Sequence, residues 1–592
     1  MSEKLREMAT SQYLRALPIT AKRGDIYDRN GILLAGSNTV YTIYARPNSV
    51  KDKKATAIQL SSILELDSSI INNILEKNVS EVKIKTKVPK DKALQIKSKD
   101  LSGIHVVESI DRVYPFGEFL TQILGFTNID IRGQTGIESK YDNYLTGADG
   151  YIYTMTDVSG REISNTLPLS KAAIDGFNAT LTIDYHIQAI LENTVYKAHQ
   201  SHNARAVSCV MMDVESGAIL GIAETPSFDL NDIPRDDASK LLSLSRSKTI
   251  SDVIEPGSTF KILTAAIGLD SGAITAHTTT NCPGYNIVDG VKIKCWRTLG
   301  HGHQTFAETV ANSCNVAFMN IASRIGTEKL YSYFEKMGIT AKTGIDLSGE
   351  SSGIRIPATS VKNVDLARIG FGQSIALTAL DLLVSSNIVI NGGKSVVPYV
   401  LEYISDVNGN IKYRNYPQIT NGIMKSDTSK IMINALEEVV LSGGGKNAAV
   451  SGYRVGGKTG TAQKYENGVI AQGKYISTFL GFAPVDNPKI ICLMVVDEPT
   501  GAYYGSIVAA PYVGEIFREV LPYLGVIKNT VEIDKPVIIM PNLIGLRQYQ
   551  VYSTMKELNI YYEVVGDGEY CKGQLPVPGE EITNDVIGLV SF

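Results

Sequence analysis

The chain has 592 residues, of which 44% are apolar and 20% are charged, with a formal net charge of -4. Because a domain usually spans about 100–200 residues, this length predicts three or more structural units with separate cores. The small net charge gives no reason to expect a polyanionic partner, so nucleic acid is not expected to bind.

Membrane and secretion signals are absent from the sequence. It contains no run of roughly 18 uncharged apolar residues and no short apolar core followed by a small-residue cleavage site. We therefore predict neither a membrane span nor a signal peptide within these residues.

The first region, residues 1–178, mixes short alternating strands, such as residues 41–45, with polar helical stretches and glycine turns. This texture predicts an extended, irregular N-terminal domain. Residues 179–527 differ. Long apolar strands at both ends flank a largely helical middle, which predicts one antiparallel sheet built from distant segments and covered by helices.

The last region begins after a predicted linker at residues 528–537. Residues 538–592 contain a helical stretch at 548–558 followed by alternating strands, which predicts a small β-α-β-β unit. Overall, the sequence predicts a multidomain α+β protein.

The strongest chemical signal is Ser258 with Lys261, at the start of an apolar helix. Proline and glycine precede Ser258, so its hydroxyl falls in the first helical turn, where free backbone N–H groups favour negative charge. Lys261 lies one turn further on the same face, within reach of that hydroxyl. A lysine becomes a base when burial or a second cation lowers its pKa. We predict Ser258 as a nucleophile and Lys261 as its base.

Two further motifs supply the remaining groups. Lys458 is the second cation, and Thr459, Gly460 and Thr461 follow it on a predicted edge strand that can take a substrate carboxylate. The backbone N–H groups of Ser258 and Thr461 are the predicted oxyanion hole.

The third motif is Ser313 with Asn315, predicted to relay a proton and to orient lysine or substrate. Each motif is common by chance. Their joint occurrence, with 55 residues from Ser258 to Ser313 and 145 from Ser313 to Lys458, indicates one catalytic cleft.

With these motifs the chain resembles the penicilloyl-serine transferase family, which includes penicillin-binding proteins and serine β-lactamases. Residues 23–31 resemble the opening of the pedestal domain of class B, monofunctional penicillin-binding proteins, and residues 133–138 with Tyr141 resemble that domain's second hallmark. Residues 538–592 are similar to a PASTA domain. Further transpeptidase landmarks lie at residues 212–213, 226–231, 370–373 and 509–511.

The resemblance implies a pedestal (dimerisation-type) domain at residues 1–178, a β-lactamase-like transpeptidase domain at 179–527 and a PASTA domain at 538–592. It implies a peptidoglycan D,D-transpeptidase in which Ser258 attacks the D-Ala-D-Ala bond of a stem peptide, expels D-Ala and passes the acyl group to a neighbouring amine. β-Lactams trap the same serine. The layout is typical of members that build spore cortex, and vegetative division enzymes share it.

Two other functions share the motifs. A serine β-lactamase or a β-lactam sensor would use the same groups, and a cell-wall scaffold could keep the fold without activity. The pedestal and the C-terminal unit argue against a compact hydrolase, and the intact motifs argue against a scaffold.

A cysteine cluster lies beside the third motif. Cys282, Cys295, His301 and Cys314 are spaced by 13, 6 and 13 residues, and three thiolates with one imidazole suit structural Zn²⁺. His303 is the alternative nitrogen ligand, and the family resemblance favours His301. A disulfide between Cys295 and Cys314, or unpaired thiols, are the competing interpretations. The chemistry itself needs no cofactor.

The resemblance also implies a place in the cell. Class B members act on the extracytoplasmic face of the membrane, held by a single N-terminal anchor, and partner a SEDS-type glycosyltransferase through anchor and pedestal. Since the sequence shows no membrane span, we expect the anchor to have been removed from it.

Overall fold

The computed structural model describes residues 14–155, 169–466, 469–528, 537–558, 560–583 and 586–592. The chain forms two compact units. The first comprises Met1–Leu181, Asp229–Ile233 and Leu401–Arg414, and the second comprises Thr182–Phe228, Pro234–Val400 and Asn415–Phe592. Most of the predicted linker at 528–537 lies outside the described residues.

The elements up to residue 181 are mainly strands with short helices. The strands are β1 (Leu14–Ile19), β2 (Ile26–Tyr27), β3 (Leu33–Ala45), β4 (Val82–Val88), β5 (Ile104–Val113), β6 (Gly150–Met155), β7 (Leu169–Lys171) and β8 (Asn178–Leu181). The helices are α1 (Lys53–Leu64), α2 (Ser68–Leu75), α3 (Lys90–Ser98), α4 (Thr121–Leu124), α5 (Gly136–Lys140) and α6 (Asp142–Leu145).

Between residues 182 and 400 helices predominate. The strands are β9 (Ala206–Asp213), β10 (Ile219–Thr225), β11 (Val253–Ile254), β12 (Thr280–Cys282), β13 (Tyr285–Val288), β14 (Val291–Lys294), β15 (Gly302–Gln304), β16 (Ile354–Arg355), β17 (Ile375–Thr378) and β18 (Ser395–Val396). The helices are α7 (Tyr185–His202), α8 (Ala238–Ser245), α9 (Lys248–Ser251), α10 (Lys261–Asp270), α11 (Phe306–Ala311), α12 (Asn315–Ile325), α13 (Thr327–Met337), α14 (Asn363–Ile369) and α15 (Ala379–Ile390).

The remaining elements complete both units. The strands are β19 (Leu401–Ser405), β20 (Ile411–Arg414), β21 (Ile419–Thr420), β22 (Gly456–Glu466), β23 (Val469–Ala483), β24 (Ile490–Asp497), β25 (Val537–Ile539), β26 (Tyr561–Val565), β27 (Gly573–Leu575), β28 (Glu581–Thr583) and β29 (Ile587–Ser591). The helices are α16 (Ser426–Leu441), α17 (Gly505–Val508), α18 (Ala510–Tyr523) and α19 (Gln548–Glu557).

The first unit is organised around a seven-stranded sheet of order β20-β19-β8-β2-β3-β4, with β5 also paired to β3. Helices α1, α2 and α3 cover one part of it, and their apolar residues share a core with Ile43 and Val88. Asp52 caps α1 by accepting a hydrogen bond from the Ala55 N–H, which satisfies one of the free N–H groups of the first turn.

A buried ion cluster joins the two motifs that resemble the pedestal domain. Glu138 is fully buried and accepts hydrogen bonds from Arg23 Nε and Arg112 Nε, each at 2.6 Å. Tyr114 donates its hydroxyl to the same carboxylate, and Arg23 Nη1 also reaches Asp142 at 2.6 Å. The Glu138 carboxylate therefore holds together side chains that are far apart in the sequence. Arg112 and Tyr114 were not predicted from the sequence to take part in this cluster.

The second unit contains the predicted central sheet, a five-stranded antiparallel sheet of order β10-β9-β24-β23-β22. Helices α7 and α18 pack on it in one apolar cluster with residues such as Met211, Phe479 and Ile516. Strands β9 and β24 are buried along nearly their whole length, which explains their continuous apolar sequence. The prediction of a helix-covered antiparallel sheet from distant segments is confirmed.

The C-terminal residues lie within the second unit and have a small core of their own, which includes Met540, Val551 and Met555. Strand β25 pairs with β28, and β26, β29 and β27 form a three-stranded sheet. The predicted order of strand, helix and two strands is followed here by two further strands. We call residues 537–592 the C-terminal subdomain.

None of the helices in the described part of the chain combines the length and the apolar character that crossing a bilayer requires.

Candidate active site

Ser258 lies in a single turn of 3₁₀ helix, Gly257–Phe260, that leads directly into α10. Gly257 has a φ of +52°, which side-chain-bearing residues rarely adopt. A Cβ at this position would lie 3.1 Å from the Thr461 carbonyl oxygen, so the turn packs closely against β22. This close approach brings the Ser258 backbone beside the strand that carries Lys458.

Lys261 is the first residue of α10, and its ammonium nitrogen lies 3.0 Å from Ser258 Oγ. The same Nζ contacts the Ser313 carbonyl oxygen and Asn315 Oδ1, both at 2.7 Å, and Ser313 Oγ at 3.1 Å. A neutral lysine has two N–H groups and one lone pair. The two shortest contacts, to the Ser313 carbonyl oxygen and to Asn315 Oδ1, can each accept one of these N–H groups. The lone pair is then left to accept the Ser258 hydroxyl proton.

Lys458 approaches the same serine from β22, and its Nζ lies 2.9 Å from Ser313 Oγ. Ser313 therefore bridges the two lysines through a single hydroxyl. Its φ of +52° is unusual for a residue with a side chain and costs roughly 1–2 kcal/mol. Such strain is typical of positions where the geometry serves function.

Both lysines are almost completely buried, at 1% exposure each. Burial lowers the pKa of Lys261 from 10.5 to about 8, whereas the Cys295 and Cys314 thiols act in the opposite direction. Burial and the nearby charge of Lys261 lower the pKa of Lys458 well below its usual value, and Glu563 opposes this. Because the Ser313 hydroxyl joins the two amines, protonation of one lysine affects the pKa of the other.

A cavity of about 420 Å³ opens above these groups, and Ser258, Ser313, Asn315, Thr459, Gly460 and Thr461 all line it. The structure thus brings the three predicted motifs to one cleft. Thr459 and Thr461 are partly exposed to it, as a pair of substrate-binding hydroxyls requires. Thr461 Oγ1 also accepts a hydrogen bond from the Gly505 N–H at 3.1 Å.

Several residues of the cleft were not identified from the sequence. Phe371 and Gln373 belong to a segment recognised only as a family landmark. Tyr503, Tyr504 and Trp296 form aromatic parts of the wall, and Tyr561 and Glu563 come from the C-terminal subdomain. A glutamate within a predicted strand of aromatic and aliphatic residues is the one sequence signal that could have indicated Glu563.

The cysteine cluster is assembled beside the cleft. The ligand atoms of Cys282, Cys295, His301 and Cys314 all lie within 4.8 Å of one another. His301 Nδ1 is 3.7 Å from Cys295 Sγ, and His301 Nε2 is buried without a hydrogen-bond partner among the described residues. Hydrogen bonds from the Cys282 and Cys314 thiols lower the pKa of Cys295. His303 is exposed and lies outside this group.

Comparisons with known proteins agree with this geometry. The family model of the penicillin binding protein transpeptidase domain matches residues 207–521, and that of the penicillin-binding protein dimerisation domain matches residues 18–181. Stage V sporulation protein D of Bacillus subtilis is 36% identical over 595 residues, covering 98% of this chain and 91% of that protein. Peptidoglycan D,D-transpeptidase FtsI of Escherichia coli K12 is 30% identical over 519 residues, covering 86% and 84%.

Solved structures give the same result. A peptidoglycan synthetase from Bifidobacterium adolescentis has a TM-score of 0.70 and 26% identity, covering 88% of this chain and 98% of that one. Penicillin Binding Protein 2X from Streptococcus thermophilus has a TM-score of 0.73 and covers 98% of this chain and 91% of that one; at 21% identity it shows the fold alone. With both domain models matched and relatives similar over nearly its full length, this chain belongs to the class B penicillin-binding proteins.

Proposed function

We propose that this chain is a serine D,D-transpeptidase that cross-links peptidoglycan stem peptides through an acyl-Ser258 intermediate. The observation that carries the proposal is the contact of the buried Lys261 amine with Ser258 Oγ at 3.0 Å. A buried amine with a lowered pKa is the base that an unactivated serine hydroxyl needs. The names of the relatives support the same reaction.

Acylation then follows from the contacts. Lys261 takes the Ser258 proton, Ser258 Oγ attacks the penultimate D-Ala carbonyl, and the amide bond to the last D-Ala breaks. Ser313 Oγ, between the two lysines, passes the proton to the leaving nitrogen. Thr459, Thr461 and Lys458 hold the terminal carboxylate. The N–H groups of Ser258 and Thr461 stabilise the oxyanion.

Labelled penicillin tests this assignment. We expect Ser258→Ala to abolish labelling while the fold is kept, because only one oxygen is removed. Ser360→Ala, at an exposed serine, is the control and should label normally. A long-lived adduct on Ser258 supports the transpeptidase. Rapid release would indicate a β-lactamase, absence of an adduct on the unsubstituted chain would indicate a scaffold, and labelling of Ser258→Ala would show that the nucleophile is another residue.

We also propose that Cys282, Cys295, His301 and Cys314 hold a structural Zn²⁺. Three thiol sulfurs and one imidazole are a donor set that this ion prefers, and their ligand atoms lie within 4.8 Å of one another, with His301 Nδ1 3.7 Å from Cys295 Sγ. Bound there, the ion would tie the loop before α11 to Cys314, which precedes α12. The ion would take no part in acyl transfer.

Metal analysis with thiol counting on one sample separates zinc from the alternatives. We expect about one zinc per chain, lost in Cys314→Ser together with thermal stability, since a structural ligand contributes folding free energy. Cys571→Ser, outside the cluster, should keep the metal. Absence of zinc with two thiols missing would establish a Cys295–Cys314 disulfide instead, and absence of zinc with all thiols free would leave neither.

Localisation and partners follow from the family. We propose that the enzyme acts on the extracytoplasmic face of the membrane through an N-terminal anchor, with a SEDS-type glycosyltransferase as partner. The similarity to stage V sporulation protein D supports spore-cortex synthesis as its setting. We further propose residues 538–592 as a PASTA domain. Cross-linking in sporulating cells followed by mass spectrometry tests the partner: recovery of a SEDS-type protein supports it.

A further inference from the structure

The C-terminal subdomain contributes directly to the catalytic cleft. Tyr561 and Glu563, both on β26, line the cavity that also contains Ser258. The Tyr561 and Trp296 rings lie 6.4 Å apart between centroids, and a Cβ added at Gly444 would lie 3.0 Å from the Tyr561 hydroxyl. Strand β26 is therefore closely packed on the loops that surround the active site.

Two further contacts fix this strand. Tyr504 donates its hydroxyl to the Val564 carbonyl oxygen, and Arg297 lies over the rings of Tyr552 and Tyr562, at 5.3 and 5.8 Å from their centroids. The subdomain is thus held on both sides of Glu563.

Glu563 itself is oriented by the start of α17, which also contacts the substrate-binding strand. Ser506 donates its hydroxyl to Glu563 Oε1, and the preceding residue, Gly505, donates its N–H to Thr461 Oγ1 at 3.1 Å. One short segment therefore holds both a predicted substrate-binding hydroxyl and the carboxyl group. The Glu563 side chain is 8% exposed, so its position is set by packing as well as by this bond.

Charge decides what the carboxyl group can do. Glu563 is the one acidic side chain among the described residues that line the cavity. Burial raises the pKa of Glu563 to about 7, and the Ser506 hydrogen bond and the nearby charge of Lys458 oppose this rise. An ammonium group placed beside such a carboxyl group favours its ionised form. An ammonium group entering this cleft would find its opposite charge at this residue.

We propose that Glu563 binds the primary ammonium of the acceptor stem peptide and accepts its proton before the second half of the reaction. This inference rests on the transpeptidase function proposed above and identifies its acceptor as a peptide that carries a primary amine. The ammonium gives one proton to Glu563. The free amine attacks the carbonyl carbon of the Ser258 ester, and the C–O bond to Ser258 breaks. Ser258 Oγ takes a second proton from the nitrogen through Lys261, which leaves the amide product.

The test compares the two fates of the acyl-enzyme. The full chain is acylated by an acyl-D-alanyl thioester in the presence of a stem tripeptide with a free side-chain amine, and the ratio of amide product to hydrolysed product is measured. We expect Glu563→Gln to lower this ratio tenfold or more at a given amine concentration. Asp567→Asn, an exposed acid of the same subdomain, should leave the ratio unchanged. An unchanged ratio in Glu563→Gln overturns the inference.

Acylation alone does not report on the C-terminal subdomain, which has a core of its own, so hydrogen exchange of residues 560–583 is measured for each variant and should match that of the unsubstituted chain. Glu563→Asp is a second variant that keeps the charge on a shorter side chain, and we expect a ratio between those of the unsubstituted chain and Glu563→Gln. A ratio as low as that of Glu563→Gln would mean that packing, not charge, carries the effect, and would overturn the inference. Failure of the unsubstituted chain to form any amide would instead count against the transpeptidase function.

Discussion

Two pairs of buried cations in this chain have different partners. In the first unit, Arg23 and Arg112 are 3% and 5% exposed, and both donate to the carboxylate of Glu138. In the second unit, Lys261 and Lys458 are each 1% exposed, and their hydrogen-bond partners are the hydroxyl, carbonyl and amide oxygens of neighbouring residues. Burial is similar in the two places, whereas the type of cation and the charge of its partner both differ.

The charge of the partner determines what each pair can do. A carboxylate between two guanidinium groups compensates the loss of water around them, and arginine keeps its proton in any case. Neutral oxygens compensate a buried ammonium only in part, so the proton is held less tightly and the lysine pKa falls. The arginine cluster around Glu138 therefore stabilises the fold, whereas the lysine pair provides an amine that can act as a base.

Replacing Lys261 is expected to have the largest effect, and the effect is on catalysis and not on stability. Lys261→Met keeps the volume but removes the amine, and we expect acylation by penicillin to slow by about 10³-fold or more, in the range that loss of a general base produces. The melting temperature should stay the same or rise, because a buried charge without a carboxylate partner is removed. Stopped-flow acylation and thermal unfolding measure both effects.

An exposed lysine is the matched control for this substitution. Lys329→Met should change neither the acylation rate nor the melting temperature. A large drop in melting temperature for Lys261→Met without loss of rate would reverse the roles that we assign to the two clusters.

Replacing Glu138 should have the opposite signature. Glu138→Gln leaves two buried arginines without their shared charge, and removal of one partner of a buried pair costs about 3–5 kcal/mol. Hydrogen exchange of peptides covering residues 20–45 and 104–114 measures the loss as a lower free energy of local opening. Glu76→Gln removes an exposed pair with Lys53 and should cost under about 1 kcal/mol.

Equal protection in Glu138→Gln and in Glu76→Gln would show that the buried cluster adds no more stability than a surface ion pair. The contrast between the two clusters would then rest on catalysis alone.

The sequence predicted local features well. Ser258 and Lys261 are three residues apart, on the 3₁₀ turn and the first residue of α10 that follows it, and Cys282 to Cys314 are within one short region, so spacing alone indicated their proximity. The order of apolar strands likewise predicted the central antiparallel sheet. In each case the physical cause is helical periodicity or continuous burial, and both leave a pattern in residues that are close together in the sequence.

Contacts between distant segments were not predictable in this way. Arg112 joins Glu138 through tertiary packing, and no local pattern distinguishes it from other charged residues of β5. Glu563 lies 305 positions after Ser258. The alternation along its strand predicts which side chains share one face of the strand, but not which part of the protein that face packs against. Without the packing of β26 on the loops around the cleft, Glu563 would be an ordinary polar residue.

The pH dependence of acylation is the smallest of the effects that we expect. Lys261 acts only when neutral, and its pKa is lowered by burial to about 8. The rate constant for penicillin acylation should therefore rise about tenfold per pH unit below pH 8 and level off above it. The measurement is stopped-flow acylation between pH 6 and 9.5, with thermal unfolding recorded at each pH.

The direction of this pH dependence follows from the protonation of Lys261. Below pH 8 Lys261 is protonated and has no lone pair for the Ser258 proton, whereas above it the neutral form predominates in the folded chain. An ordinary lysine would keep the rate rising to about pH 10.4. A rate that still climbs tenfold per unit at pH 9.5 would mean that the neutral oxygens around Lys261 hold its proton as firmly as a carboxylate does, and the contrast with Arg23 and Arg112 would disappear.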